Sequence, residues 1–257
     1  MAFGLSQDWE IHSAGGSTGN AFIASHSQEK IFIKRNTSPF LAALSAEGIT
    51  PKLLWTKRMP NGDVITAQQW VAGTTLTAEQ MNGPKTAALL AKVHSSNLLK
   101  GMLEKMGGSF VTADQMLVQL EQTLPDQLRY LPSIIKGITW LEDHTLQVPV
   151  TEYRVCHGDL NKKNWLETVN DTLFLVDWDQ AILTDPAYDL TTVLINYVPR
   201  SSWTRWLADY GQQLDTDLIG RIRWYSILQE IISIIQQTTN LTNLREEMSR
   251  LDQLIDR

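Results

Sequence analysis

His157-Gly158-Asp159-Leu160-Asn161-Lys162-Lys163-Asn164, followed by Leu173-Phe174-Leu175-Val176-Asp177-Trp178-Asp179, is the stretch that decides both fold and chemistry. An Asp and an Asn five positions apart, on a loop after the predicted strand Arg154–Cys156, can project into one cleft. A helix or strand would not bring them together so easily at that spacing. Asp159 can accept the proton of an attacking hydroxyl, and Asn164 can offer a carbonyl oxygen to a magnesium ion. Thirteen positions after Asn164, the predicted strand Thr172–Val176 ends in Asp177, which aims a carboxylate at the mouth of a site. Asp177 would bridge the metal to the phosphates of ATP. Taken singly, the motifs also read as a surface turn and a strand-end acid. Their order and the short strand-bearing gap favour a shared cleft.

Upstream, the first 72 residues read as β-rich, with apolar runs at Lys30–Lys34, Leu53–Arg58 and Val64–Val71. Pro60-Asn61-Gly62-Asp63 reads as the hairpin loop between the last two. After Gly73 the apolar period becomes helical. A helix is expected over Thr86–Leu99, its stripe spoiled at Asn97, and Thr112 with Gln115 forms a capping-box pattern before another. Ile134 to Leu141, Trp224 to Ile235 and Leu241 to Ile255 mark further helices. The expected class is therefore α+β: a small β-rich N-lobe, residues 1–72, and a larger, mainly helical C-lobe, residues 73–257.

The chain has 257 residues, 43% apolar and 19% charged, which fits a globular protein. Its net charge of −6 argues against direct nucleic-acid binding driven by electrostatics. No basic-then-apolar leader is visible from Met1 to Gly16, and no apolar run reaches membrane-spanning length. The single cysteine, Cys156, cannot form an internal disulfide, and a cytoplasmic protein with no membrane association is expected.

The pattern His-Gly-Asp, four residues, Asn, then a strand ending in Asp-x-Asp resembles the aminoglycoside phosphotransferase and choline kinase superfamily. That resemblance implies the bilobal protein-kinase-like fold, with ATP and Mg2+ as cofactors. It implies Asp159 as catalytic base, Asn164 and Asp177 as magnesium ligands, and His157 as a support for the loop. Asp185-Pro186-Ala187-Tyr188-Asp189-Leu190 also matches. Asp189 there either braces the catalytic loop or is an ordinary acid in the first turn of a helix. A closer likeness, over residues 31–235, rests on Asn36-Thr37-Ser38-Pro39-Phe40-Leu41, Ile49-Thr50-Pro51-Lys52-Leu53-Leu54-Trp55, Pro60–Asp63 and Ala67–Trp70. These look like the CcrZ-type cell-cycle regulator kinases of Gram-positive bacteria. That family implies phosphorylation of ribose-type sugars or nucleosides, and a cell-cycle or replication protein as partner.

Lys34 ends its strand as a nucleotide-binding lysine would, holding the α- and β-phosphates; the other reading is a strand-end surface lysine. Gly15-Gly16-Ser17-Thr18-Gly19 is the candidate phosphate-covering loop, with Gly16, Ser17 and Gly19 presenting backbone N–H groups, or else a plain hairpin turn. Gln69-Trp70-Val71 reads as the hinge that meets the adenine edge. Glu47 is the only acid between Lys34 and the next strand, and so the only candidate there to pair that lysine.

The acceptor is expected between the catalytic loop and the C-terminal helices, among Tyr197, Trp203, Trp206, Tyr210, Trp224 and Tyr225. Such rings could cage a quaternary ammonium, stack on a sugar or base, or simply fill the core. Asp179, Trp224 and Glu230 are candidate acceptor-binding or supporting residues. The expected activity is phosphotransfer to the hydroxyl of a small molecule, ribose, deoxyribose or a nucleoside. Choline, ethanolamine or an aminoglycoside is the alternative acceptor. A nucleotide-binding regulator acting through protein contacts is the alternative of another class.

Overall fold

Alternation along Glu29–Arg35 sets the first layer: Ile31 and Ile33 are buried on one face, while Phe32 and Lys34 line a cleft on the other. In the computed structural model, which describes residues 2–15, 19–237 and 244–256, this strand is β3 of a five-stranded antiparallel sheet. Its companions are β1 (Glu10–Ser13), β2 (Ala21–His26), β4 (Leu53–Arg58) and β5 (Val64–Gln69), in the order β1-β2-β3-β5-β4. Behind the sheet, Phe3, Leu5, Ala24, Ile31, Ile33, Ile65 and Ala67 form a small core. The β4–β5 loop closes as expected, with Gly62 at φ +92° and the Met59 amide donating to Asp63 O at 2.8 Å.

The helix α1 (Phe40–Ala46) lies between β3 and β4 in sequence but packs elsewhere. Its Phe40, Ala43 and Leu44 belong to the larger core of the helical part, and Phe40 meets the Trp178 ring edge-on at 6.0 Å. A second bridge is β6 (Gly73–Thr75), which pairs with β8 (Trp165–Thr168), itself paired with β9 (Leu173–Leu175). The remaining two-stranded sheet joins β7 (Arg154–Cys156) to β10 (Ile182–Thr184).

The helices are α2 (Ala78–Met81), α3 (Pro84–Ser95), α4 (Asn97–Lys105), α5 (Ala113–Thr123), α6 (Asp126–Arg129) and α7 (Pro132–Asp143). After the catalytic segment come α8 (Ala187–Tyr197), α9 (Trp203–Tyr210), α10 (Thr216–Gln237) and α11 (Leu244–Ile255). The expected Thr86–Leu99 helix is in fact two. Ser96, at ψ 105°, ends α3 and caps α4 by accepting the Leu99 amide on Oγ at 3.1 Å, so Asn97 opens a new helix rather than ending an old one. The Thr112–Gln115 box forms in both directions, at 2.9 and 3.1 Å. Leu241 of the last expected helix lies outside the described residues. Among the described residues no helix is long and apolar enough to cross a membrane.

Gly73 sits where the chain leaves the first sheet and begins the second. A Cβ there would stand 2.5 Å from the Glu167 carbonyl oxygen. Gly73→Ala should therefore lower stability by about 1–3 kcal/mol, read as a lower midpoint in urea denaturation. An unchanged midpoint would show that the β6–β8 contact yields at no cost.

Candidate active site

The sequence-predicted residues Lys34, Asn164, Asp177 and Asp179 line one cleft of about 490 Å3 between the five-stranded sheet and the β7–β10 segment. Asp159 adjoins it through Asn164, whose Nδ2 donates to the Asp159 carbonyl at 2.8 Å and to Oδ2 of its carboxylate at 3.1 Å. The Asn amide is buried, and both donations come from its nitrogen, so the side-chain oxygen is left as a free acceptor among the described residues.

Three features shape this loop. Asp189, buried in the first turn of α8, accepts the amides of His157 on Oδ2 at 2.7 Å and of Gly158 on Oδ1 at 3.1 Å. Gly158 has φ +83°, and a Cβ there would stand 2.4 Å from the Gln180 carbonyl oxygen, so only glycine fits between His157 and Asp159. His157 is fully buried; its Nδ1 accepts the Asp159 amide at 3.2 Å, so the proton sits on Nε2 and is donated to Val176 O at 2.9 Å. Val176 in turn donates its amide to Asn164 O at 2.8 Å. The catalytic loop and the strand that ends at Asp177 are thereby fastened to each other at two points.

Asp177 follows β9 in the left-handed region, at φ 65° and ψ 62°. This conformation costs an L residue about 1–2 kcal/mol and turns the side chain out of the strand direction. The turn carries both carboxylates to Lys34, whose Nζ donates to Asp177 Oδ1 at 2.7 Å and Asp179 Oδ2 at 2.8 Å. Burial pulls the Lys34 pKa down, but the hydrogen bonds and charges of the two aspartates outweigh it and the net shift is upward. Glu47 is not its partner: it caps the C-terminus of α1, and its backbone carbonyl accepts from Lys92.

Gln69, the last ladder position of β5 opposite Ile31, lines the cleft together with Trp70 and Val71, which follow it. Apolar Ala21, Phe32, Leu166 and Val176 line the same cleft. Gly15 lines it too, at φ +82°, whereas Gly19, at φ +63°, does not. Gly16 and Ser17 lie outside the described residues.

Two candidates are not brought to the cleft. Trp224 is fully buried, with its indole N–H donating to Leu141 O at 3.1 Å, and it is a core residue rather than an acceptor surface. Trp203, Trp206 and Tyr225 are core as well. Glu230, on α10, is buried and bound to Arg250 at 3.0 Å. The polarity of Glu230 and the rings of α9 and α10 were misleading because a helix buried on most sides uses such residues for packing.

The sequence reading missed the apolar lining of Phe32, Leu166 and Val176, although the period-two pattern puts Phe32 on the same face as Lys34. It also missed what stands behind Asp189. His94 donates from Nε2 to its Oδ2 at 3.2 Å, and Tyr210 bonds His94 Nδ1 at 2.7 Å. Cys156 joins this buried cluster, its thiol pushed well up by burial and then by Asp189 and Asp185, which leaves it unreactive.

A sheet over a helical part, with an Asp–Asn loop and a strand-end acid facing a strand lysine across a cleft, defines a kinase-like phosphotransferase. The chain belongs to the phosphotransferase enzyme family, whose family model matches residues 32–225. Among solved structures, the choline kinase LicA from Streptococcus pneumoniae superposes with a TM-score of 0.68 at 17% identity, over 97% of this chain and 94% of that one. A choline/ethanolamine kinase family protein from Mesorhizobium loti gives 0.66 at 16%, over 96% and 88%. A spectinomycin phosphotransferase in complex with ADP and spectinomycin gives 0.67 at 14%, over 96% and 91%. At these identities the likeness is one of fold.

Burial, opposed by the charges of Asp189, Asp159 and Asp177 and by the Val176 carbonyl, lowers the His157 pKa from its ordinary 6.5. A folded pKa below the unfolded one means that the stability tied to neutral His157 is complete above pH 6.5 and is lost as pH falls through the folded value. The slope is at most about 1.4 kcal/mol per pH unit. His157→Gln should flatten this acid limb in urea denaturation run at descending pH. If the limb keeps its wild-type slope, other groups carry it.

Proposed function

We propose that the chain transfers the γ-phosphoryl group of ATP to the hydroxyl of a small molecule in a magnesium-dependent reaction. The observation that carries this is the convergence of Lys34, Asn164, Asp177 and, through Asn164, Asp159 on one cleft that is also lined by apolar Ala21, Phe32, Leu166 and Val176. In this reading the adenine edge meets the backbone of Gln69–Val71, and Lys34 holds the α- and β-phosphates. The donors fit magnesium: the Asn164 oxygen is free, and the half-exposed Asp177 carboxylate uses one oxygen on Lys34 and keeps the other open. Bound there, the ion would neutralise phosphate charge. Asp159 accepts the acceptor hydroxyl proton as that oxygen bonds to the γ-phosphorus, and the β–γ bridging oxygen leaves with its electron pair on ADP. Asp189 and His157 hold the loop and take no proton. Residues 1–72 act as the nucleotide-binding lobe and 73–257 as the lobe of catalytic loop, metal and acceptor.

For the acceptor we infer a sugar with a primary hydroxyl, ribose, deoxyribose or a nucleoside, on the likeness to CcrZ-type kinases. That likeness also motivates a role in cell-cycle or replication control, a protein partner there, and a cytoplasmic location. Burial of Trp203, Trp206, Trp224 and Tyr225 supports a sugar over choline, since a cation cage needs ring faces open to the ligand. Asp179, half-exposed at the cleft with one carboxylate oxygen on Lys34, is our candidate to orient a hydroxyl. A site that bonds hydroxyls rejects choline because its own polar groups would be left unpaired.

Asp159→Asn keeps shape and removes the base, so kcat should fall roughly 10²–10⁴-fold with ATP affinity nearly unchanged. Asp177→Ala should abolish magnesium-dependent turnover while the far-ultraviolet circular dichroism stays native. Near-normal turnover in either purified variant would refute the assignment of roles.

The acceptor is decided by kcat/KM for ribose, deoxyribose, a nucleoside, choline, ethanolamine and an aminoglycoside under the same ATP and magnesium. The sugars or nucleoside should lead. Choline, ethanolamine or the aminoglycoside leading would overturn the acceptor and leave the phosphotransfer standing.

A further inference from the structure

Asp189 Oδ2, the oxygen that holds the His157 amide at 2.7 Å, has a second donor in His94 Nε2 at 3.2 Å. The His94 ring comes from the last turn of α3 and is buried. Its other nitrogen, Nδ1, lies 2.7 Å from the hydroxyl of Tyr210, the last residue of α9. Tyr210 is itself held in place. Its ring lies nearly parallel to that of buried Trp206, 6.1 Å away, and the Trp206 indole N–H donates to Met81 O at 3.3 Å.

We propose that Tyr210 is a positioning residue for phosphotransfer, its hydroxyl donating to Nδ1 and so holding His94 as the neutral Nε2–H tautomer that steadies Asp189 against the catalytic loop. The inference rests on the reading of Asp159 as the base carried by that loop. Proton placement supports it. A carboxylate only accepts, so the proton between His94 and Asp189 sits on Nε2. Burial, then the neighbouring Cys156 and Asp189, push the Tyr210 phenol pKa up, and its proton stays on. Among the described residues the one hydrogen-bond partner for that proton is His94 Nδ1. A doubly protonated ring would donate to the phenol oxygen and leave the phenol proton without an acceptor there. A neutral ring places both protons. Cys156, beside His94 and Asp189, turns its thiol to the carbonyls of Thr184 and Asp185 and does not compete for Nδ1. Without the Tyr210 hydroxyl, Nδ1 would be a buried nitrogen with no partner. A proton drawn to Nδ1 would bare Nε2, whose lone pair would then face the oxygen that holds the His157 amide. Tyr210 thus reaches the catalytic loop through His94 and Asp189.

The first test is nitrogen-15 NMR of the histidine rings in wild type, with His94 assigned through its own backbone. His94 should show one protonated nitrogen, Nε2, and one bare nitrogen. Two protonated nitrogens, or a single proton on Nδ1, would overturn the assignment. The second test compares Tyr210→Phe with wild type, by amide hydrogen exchange at His157 and Gly158 and by turnover of Mg-ATP with ribose. Both amides should exchange about tenfold faster and kcat should fall about tenfold, the scale of one lost hydrogen bond, while KM for ATP stays within about twofold. The third test is a double-mutant cycle. In His94→Gln an amide N–H can face Asp189 with no tautomer to choose, so adding Tyr210→Phe should lower kcat less than about twofold further. Unchanged exchange or kcat in Tyr210→Phe, or losses in the two variants that simply multiply, would overturn the role of Tyr210. The first two tests do not need His94→Gln to fold. Absence of turnover with ribose in wild type would instead overturn the sugar reading, and the tautomer and exchange measurements would still decide Tyr210.

Discussion

Asp189 holds the catalytic loop by receiving the amides of His157 and Gly158 on its two oxygens, with the His94 imidazole as a third donor. A carboxylate this buried is costly unless its lone pairs are met by good donors, and here three meet them. The exchange is mutual. The two amides belong to a loop with no sheet partner, and without Asp189 each would be a buried donor left unsatisfied at about 1–3 kcal/mol. Asp189 sits in the first turn of α8, so the helix that carries the brace is packed into the large core through Leu190, Val193 and Leu194. The position of the loop is thus inherited from the large core of the helical part.

From that anchor the geometry propagates by obligatory hydrogen bonding. With Asp189 fixing the His157 amide, the imidazole is pressed against Trp178 at 4.6 Å and has one proton and one lone pair to place. The lone pair takes the Asp159 amide and the proton goes to Val176 O, and this is possible only for the neutral ring. Neutrality is what burial imposes on it. His157 is therefore a hydrogen-bonded spacer between two loops, a role that would fail if it exchanged protons during turnover. The Val176 amide on Asn164 O completes the ring, so Asp159, Asn164 and Asp177 have their relative positions fixed before any ligand arrives.

The sequence made these local relations readable because they are short-range. A loop between two short strands, an Asp–Asn spacing, a strand ending in an acid and the alternation around Lys34 each lie within a few residues of one another. The capping box at Thr112 and the hairpin at Pro60–Asp63 were legible for the same reason. What was not legible depends on contacts between distant segments. Nothing near His94 announces that it will meet Asp189, and Tyr210 is more distant still. Burial of Trp224 could not be told from an open ring face, because the same amphipathic residue serves both. The break at Ser96 shows in the sequence only as the spoiled stripe at Asn97, which reads as the end of one helix although it is the start of a second. Glu47 is the acid near Lys34 in sequence, but Asp177 and Asp179, more than a hundred residues away, take the lysine instead.

The cleft is also where the two ends of the architecture are tied, and the ties differ in kind. α1 and β6 connect the five-stranded sheet to the helical part by packing and ladder bonds. The contact of Lys34 with Asp177 and Asp179 spans the same gap electrostatically, through groups that are half-exposed on the acid side. Contacts of that exposure are weak in themselves, because solvent screens them. Weakness suits their place. On the proposed reading, Lys34 would turn toward phosphate oxygens and Asp177 would offer both of its own. A buried, well-packed pair would resist that exchange. The architecture therefore keeps its permanent joints at α1, β6 and Asp189, and leaves the joint across the cleft to charges that a polyanionic substrate can rearrange.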